Sequence, residues 1–106
     1  LPTLVYRPDG SQIAATLQDL SLNGVLLQSR EPIGVVGDPL EVEFPIALDE
    51  VNKRLKLKAT LRNSAGLGAN DSDNPVRAGL EFGRLSDDDT LLLHYFIDHQ
   101  IVRQHV

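Results

Sequence analysis

Asp19-Leu20-Ser21-Leu22-Asn23-Gly24 brings an ionisable carboxylate, a hydroxyl and a turn-forming pair into one short stretch. An ionised carboxylate accepts two parallel N–H donors, and charge-assisted bonds of this kind are about twice as strong as neutral ones. Asp19 is the candidate for that work. Ser21 follows two residues on, so in an extended segment its side chain emerges on the same face. Its hydroxyl can hold an anionic oxygen, the edge of a base or the loop itself. Gly24 would let the backbone turn closely beneath a ligand, where a Cβ would clash, and Asn23-Gly24 is a strong tight-turn pair. The same residues also make an ordinary hairpin, in which Asp caps backbone amides, Ser supports it and Asn-Gly turns.

Other chemistry-bearing residues lead less far. His94 and Asp98 stand four apart on a predicted helix, within reach of one metal ion, but no third ligand converges and His99 points elsewhere, so a solvated helix face is the better reading. Asn70-Asp71-Ser72-Asp73-Asn74 is spaced like a calcium loop yet lacks the central Gly and closing Glu, and is expected to be an exposed turn. Asp87-Asp88-Asp89 serves a helix start and is no acid/base pair. No serine sits in an elbow context and no Ser/His/Asp set has interpretable spacing. The expectation is a protein that is not an enzyme, with no metal and no cofactor. The chain has no cysteine, which rules out disulfides and thiolate metal sites and fits a reducing, cytoplasmic compartment.

The elements that must position Asp19 are short and mostly extended. Leu4 to Arg7 reads as a strand closed by the turn Pro8-Asp9-Gly10, and Gln12 to Gln18 as a second with Ile13, Ala15 and Leu17 on one face. Val25 to Gln28 is a strongly apolar strand, and Glu31 to Asp38 a loop marked by Pro32, Gly34 and Gly37. Leu40, Val42 and Phe44 alternate with Glu41 and Glu43, and Leu55, Leu57, Ala59 and Leu61 with Lys56, Lys58, Thr60 and Arg62, as half-buried strands do. Asn63 to Pro75, rich in Gly, Asn, Asp and Ser, reads as an exposed loop; Val76 to Phe82 is a further strand. Ser86 has the look of an N-cap for a helix running on through Leu91 to Arg103. On that helix Leu92, Tyr95, Phe96 and Val102 form one apolar stripe and Leu93, Ile97 and Ile101 a second. Five or six antiparallel strands followed by a helix tend to close into a small barrel or sandwich. The helix carries more apolar surface than one barrel contact needs, so its Ile97/Ile101 side is expected to meet another domain or a second copy in a homodimer.

At 106 residues, with 42% hydrophobic and 24% charged residues, the chain fits a single domain, 1–106, able to bury a core unaided. No apolar run approaches a membrane span and no signal peptide is visible, so no membrane insertion is expected. A net charge of -5 argues against DNA or RNA as partner, since the nearest basic patch is the single strand Lys53-Arg54-Leu55-Lys56-Leu57-Lys58. A small anion held by a few arginines fits better. The chain begins at Leu1 and not at methionine, which reads as a cut from something longer.

The hexapeptide fits (D/N)-x-S-x-x-G between two strands, and in this it resembles the PilZ domain family. The strand before it, Val25-Leu26-Leu27 after it, the later Ala78-Gly79-Leu80-Glu81-Phe82 strand and the closing helix match that family's layout over nearly the whole chain. The likeness is greatest to the PilZ domain of flagellar-brake proteins, where a helix like Thr90 to Gln104 closes the chain. The resemblance implies an all-β fold with a C-terminal helix, a small six-stranded antiparallel barrel. It implies a bacterial receptor for cyclic di-GMP, with Asp19 taking the N1 and N2 donors of a guanine, Ser21 and Gly24 beside it and Asn23 in a weaker role. Arg84, just after the last strand, is a further ligand candidate. The family pairs this motif with R-x-x-x-R just upstream of the first barrel strand, where guanidinium groups clamp phosphates and stack on guanine. No such spacing occurs here: Arg7 and Arg30 have no partner, and Arg54 and Arg62 come too late. The expectation is that this segment, with any N-terminal domain, precedes Leu1, and that the chain alone binds cyclic di-GMP weakly or not at all. The implied output is slowed swimming through a protein partner such as a flagellar motor component. The alternative is a PilZ-like protein–protein adaptor that binds no nucleotide.

Overall fold

Strict alternation of apolar and polar residues dictates most of the architecture, because alternate side chains of a strand leave on opposite faces. A computed structural model describes residues 1–48, 51–66 and 76–104. It contains β1 (Pro2–Tyr6), β2 (Gln12–Leu20), β3 (Gly24–Ser29), β4 (Pro39–Leu48), β5 (Val51–Gly66), β6 (Val76–Phe82) and the helix α1 (Asp87–Gln104). The strands close into a barrel in the order β1-β2-β3-β6-β5-β4, every neighbouring pair antiparallel. Closure turns one face of every strand inward.

The barrel core follows from that inward set. Leu40, Val42, Phe44 and Ile46 of β4 meet Leu55, Leu57, Ala59 and Leu61 of β5, and Val5, Ile13, Val25, Leu27, Ala78, Leu80 and Phe82 complete it. The helix packs against β4. The Ser86 hydroxyl accepts a bond from the Asp89 N–H at 3.0 Å, and Asp87, Asp88 and Asp89 place negative charge at the positive end of the dipole. Leu93 and Phe96 are buried, and the Phe96 ring meets Phe44 of β4 at 5.8 Å between centroids, tilted by 42°.

Three expectations need correction. The helix buries one face, not two stripes: Leu93 and Phe96 form its centre, with Leu92 and Ile97 half-buried on the core beside them. Tyr95 lies outside that face with 39% of its surface exposed, and Ile97 packs partly on the core. The side chains of His99, Ile101, Val102 and Arg103 fall outside the described residues. The expected loop starts too early: Asn63 to Gly66 continue β5, pairing with β6 from Asn63↔Gly79 to Gly66↔Val76. Small residues with little strand preference are held there by a tertiary backbone ladder. Residues 67–75, including Asn70–Asn74, lie outside the described residues. Finally, β2 runs two residues beyond Gln18, to Leu20, which carries Asp19 into the sheet.

Polar seams fix the loops. Arg7 donates from Nε to the Ile33 carbonyl (3.0 Å) and from Nη2 to the Pro32 carbonyl (2.8 Å), tying down the β3–β4 loop whose Ile33 is wholly buried. Where β1, β4 and β5 meet, the Tyr6 hydroxyl and the Arg54 Nε–H both donate to Glu43 Oε1 at 3.0 Å, and Lys56 Nζ sits 4.3 Å above the Tyr6 ring. Burial pushes the Glu43 carboxyl up. The bonds from Arg54 and Tyr6, with the nearby charges of Arg54 and Lys56, outweigh it and leave that carboxyl below its ordinary range. The same bond to Glu43, with some desolvation, pushes the Tyr6 phenol up.

Candidate functional site

Two breaks in strand register build the site. In β2 the pairing with β3 passes from Leu17↔Leu27 to Asp19↔Leu26, so Gln18 is an extra residue. Ile13, Ala15 and Leu17 face in, Gln18 and Asp19 both face out, and Leu20 turns back toward the core. Without the bulge, simple alternation would have aimed Asp19 inward. In β5 the pairing with β6 passes from Leu61↔Leu80 to Asn63↔Gly79, so Arg62 is the extra residue there. Bulges of this kind re-aim side chains and occur often beside functional sites.

The re-aimed residues meet in one open depression of about 330 Å³, lined by Asp19, Ser21, Asn23 and Gly24 together with Arg62, Asn63 and Glu81 and neighbouring backbone. Asp19 is exposed, and Oδ1 accepts the N–H of its neighbour Leu20 at 3.0 Å. That is its single hydrogen bond among the described residues, so most of its acceptor capacity faces the depression.

Ser21 is turned onto its own loop. Its hydroxyl accepts from the Asn23 and Gly24 N–H groups, both at 3.2 Å, and donates to the Gly24 carbonyl at 3.4 Å. The Ser21 N–H donates to the same carbonyl at 2.9 Å. One donor and two acceptor positions of a hydroxyl are thereby filled. The Asn23 carbonyl accepts the Phe82 N–H at 2.8 Å, which ties the loop to β6.

Gly24 has a different reason from the one its sequence context offers. It opens β3 and has no positive φ, unlike Gly10 and Gly37. A Cβ there would collide with the Leu80 carbonyl oxygen of β6, with the Leu80 carbonyl carbon at 3.2 Å. Close approach of two strands is what demands glycine here. Across the depression, Asn63 Oδ1 accepts the Gly79 N–H at 3.1 Å, and a Cβ on Gly79 would meet the Asn63 side-chain amide at 2.8 Å. The Asn63 side chain thus bonds a backbone donor at the irregular step of the β5–β6 ladder.

Sequence reading missed Arg62, Asn63 and Glu81 as lining residues, because they reach Asp19 only through barrel closure. A signal existed: strict alternation in β5 ends in the exposed pair Arg62-Asn63, as alternation in β2 ends in Gln18-Asp19. Arg62 Nη2 lies 3.4 Å from Glu81 Oε1, with both side chains more than half exposed. Arg84 is exposed and is not among the lining residues, and His94 is likewise exposed on α1.

A family model described as PilZ domain matches residues 2–98. No curated protein matches the sequence. Among solved structures the chain is similar to MrkH of K. pneumonia in its apo state (TM-score 0.75, 11% identity, covering 99% of this chain and 49% of that one). It is similar to the Bacillus subtilis inhibitor of motility MotI/DgrA (TM-score 0.67, 16% identity, covering 95% and 47%). It is also similar to the PilZ domain of YcgR from Escherichia coli, solved with c-di-GMP (TM-score 0.73, 18% identity, covering 98% and 86%). The chain therefore spans about half the length of MrkH and of MotI/DgrA.

Proposed function

The chain belongs to the PilZ domain family, and from that premise we propose that it is a receptor domain for cyclic di-GMP whose guanine edge is taken by Asp19. One observation carries the reading: a bulge turns the Asp19 carboxylate out over an open depression, where it holds a single neighbouring amide. Guanine offers N1–H and N2–H side by side, and an ionised carboxylate accepts both in parallel. Adenine offers no such pair. Ser21 would act by holding the loop shape and Gly24 by letting β3 lie against β6, so both serve the ligand through Asp19. Asn23 would be a lesser contact at the rim and Arg84 an outlying one.

In this reading the phosphates are clamped by an R-x-x-x-R segment upstream of Leu1, and binding draws that segment onto the barrel. The domain would act in the cytoplasm, change its placement against a protein partner and slow swimming. Support for a motility output comes from a Bacillus subtilis inhibitor of motility with the same fold. A ligand can drive such a rearrangement only through its differential affinity for the two arrangements.

The test is a titration of the chain, with and without its native upstream sequence, against cyclic di-GMP and cyclic di-AMP. The expected result is binding of the guanine ligand, tightened by the upstream sequence, and adenine binding weaker by at least about tenfold, the equivalent of one lost charged hydrogen bond. Equal affinity for the two ligands would remove Asp19 from its assigned role, and no binding of either in both forms would refute the receptor reading.

A further inference from the structure

We infer that Arg62 is a second charged contact of this site, a guanidinium kept beside Glu81 until an anionic phosphodiester takes it. This rests on the cyclic di-GMP reading above and adds a phosphate contact carried by the barrel itself.

Three observations converge. Arg62 is the extra residue of the β5 bulge, exposed on the outward side that follows Leu61, and it lines the same depression as Asp19. Among the described residues, the charged ones lining that depression are Asp19, Arg62 and Glu81, so Arg62 is the one cation among them that an entering anion meets there. Its restraint is weak: 3.4 Å from Glu81, at the long end of hydrogen bonding, with side chains 55% and 58% exposed. Exposed pairs of this kind contribute little and exchange readily.

Other arginines are committed more firmly. Arg7 spans two backbone carbonyls at 3.0 and 2.8 Å, and Arg54 bonds Glu43 at 3.0 Å. Leaving those partners would expose carbonyls or a partly shielded carboxylate, whereas Glu81 left alone is already bathed in water. The cationic row Arg54, Lys56 and Lys58 on β5 is also answered across the strand pair, with Glu43 opposite Lys56 and Glu41 opposite Lys58. Arg62 is the end of that row, and its partner lies inside the site. A planar guanidinium suits a phosphodiester, which accepts two parallel N–H donors, and it can also lie on a base face. Glu81 has two effects on the same ligand: it holds Arg62 and it repels the phosphate.

The test is proton–nitrogen NMR of this chain with cyclic di-GMP raised to millimolar concentration, where weak binding is still read. Wild type, Arg62→Gln, Arg62→Lys, Glu81→Gln and the double variant Arg62→Gln/Glu81→Gln are compared, with unchanged spectral dispersion as the check on folding. Arg62→Gln is expected to weaken binding about tenfold, the loss of a charged hydrogen bond, and Arg62→Lys less than that. Glu81→Gln is expected to tighten binding by about twofold to fivefold, as an exposed ion pair of ordinary strength is released. In the double variant the part of that gain that comes from releasing Arg62 should vanish, leaving only the smaller relief of repulsion from Glu81. Wild-type binding with Arg62→Gln equal to it within about twofold, too small for a charged contact, would overturn the inference and leave the receptor reading standing. Weaker binding by Glu81→Gln would make Glu81 a ligand contact and overturn its role as a restraint. No binding by wild type even at millimolar ligand would overturn this inference of a phosphate contact carried by the barrel itself, while the receptor reading would stand or fall with the form that carries its upstream sequence.

Discussion

Replacing Gly24 by alanine separates two roles that this residue could serve. Its φ is not positive, so alanine meets no backbone strain, and fewer unfolded conformations should by themselves raise stability by about 0.4–1 kcal/mol. Against that stands a new Cβ directed at the Leu80 carbonyl oxygen, an atom of the β6 backbone that cannot swing away as a side chain would. Gly24 pairs with Glu81 and its neighbour Val25 with Leu80, so relief requires β3 and β6 to part where both line the site. Forcing extra volume into a packed region costs about 1–3 kcal/mol, sometimes more, and the collision with backbone puts this case at the upper end. The net expectation is a loss of about 2 kcal/mol in the ligand-free protein, or roughly 8–16 °C in Tm for a domain of this size. Urea unfolding followed by circular dichroism, together with a thermal scan, measures it without any ligand. A Gly24→Ala protein as stable as wild type, or more so, would show that the strand approach does not demand glycine and that its role is confined to ligand clearance.

Further expectations follow from the same geometry. Phe44→Ala removes a wholly buried ring that bridges β4 to Phe96 of the helix, and should cost about 3–5 kcal/mol, read as a lower urea midpoint. Ser21→Ala removes the hydroxyl that holds the Asn23 and Gly24 amides and should cost about 1 kcal/mol in stability, with a matching loss of ligand affinity although the hydroxyl faces its own loop. Glu43 has a lowered carboxyl pKa, so its contribution is present above the ordinary value of 4.5 and fades as pH falls below that; Glu43→Gln should flatten the stability profile in that acid window. An unchanged acid slope in Glu43→Gln would mean that the seam of Tyr6, Glu43 and Arg54 does not support the barrel.

Much of the barrel was legible because its strands obey a simple period. Leu40 to Phe44, Leu55 to Leu61 and Val76 to Phe82 show an apolar face that can only turn inward, and the structure uses each of them so. The helix start was legible in Ser86 and the three aspartates that follow. What failed was what depends on neighbours distant in sequence. Asn63 to Gly66 looks like loop because nothing local favours a strand, and only pairing with β6 makes it one. The buried face of the helix cuts across the two stripes because contact with Phe44, and not the helix pattern alone, chooses it.

The site shows the same division. Asp19, Ser21, Asn23 and Gly24 were found because they sit in one hexapeptide, but their individual reasons were not all local. The need for glycine at 24 comes from Leu80, and the outward aim of Asp19 comes from the extra residue Gln18 opposite β3. Arg62 and Glu81 were passed over because no spacing along the chain joins them to the hexapeptide; closure of the barrel does.

The most direct measurement is the affinity of cyclic di-GMP for Asp19→Ala against wild type, each carrying its native upstream sequence, by calorimetry. Loss of two charged hydrogen bonds, at about 1.5–3 kcal/mol each, predicts affinity lower by a hundredfold or more while the barrel's melting temperature stays the same. An Asp19→Ala protein that remains folded and binds as tightly as wild type would contradict the account, since the guanine would then be held by something other than this carboxylate.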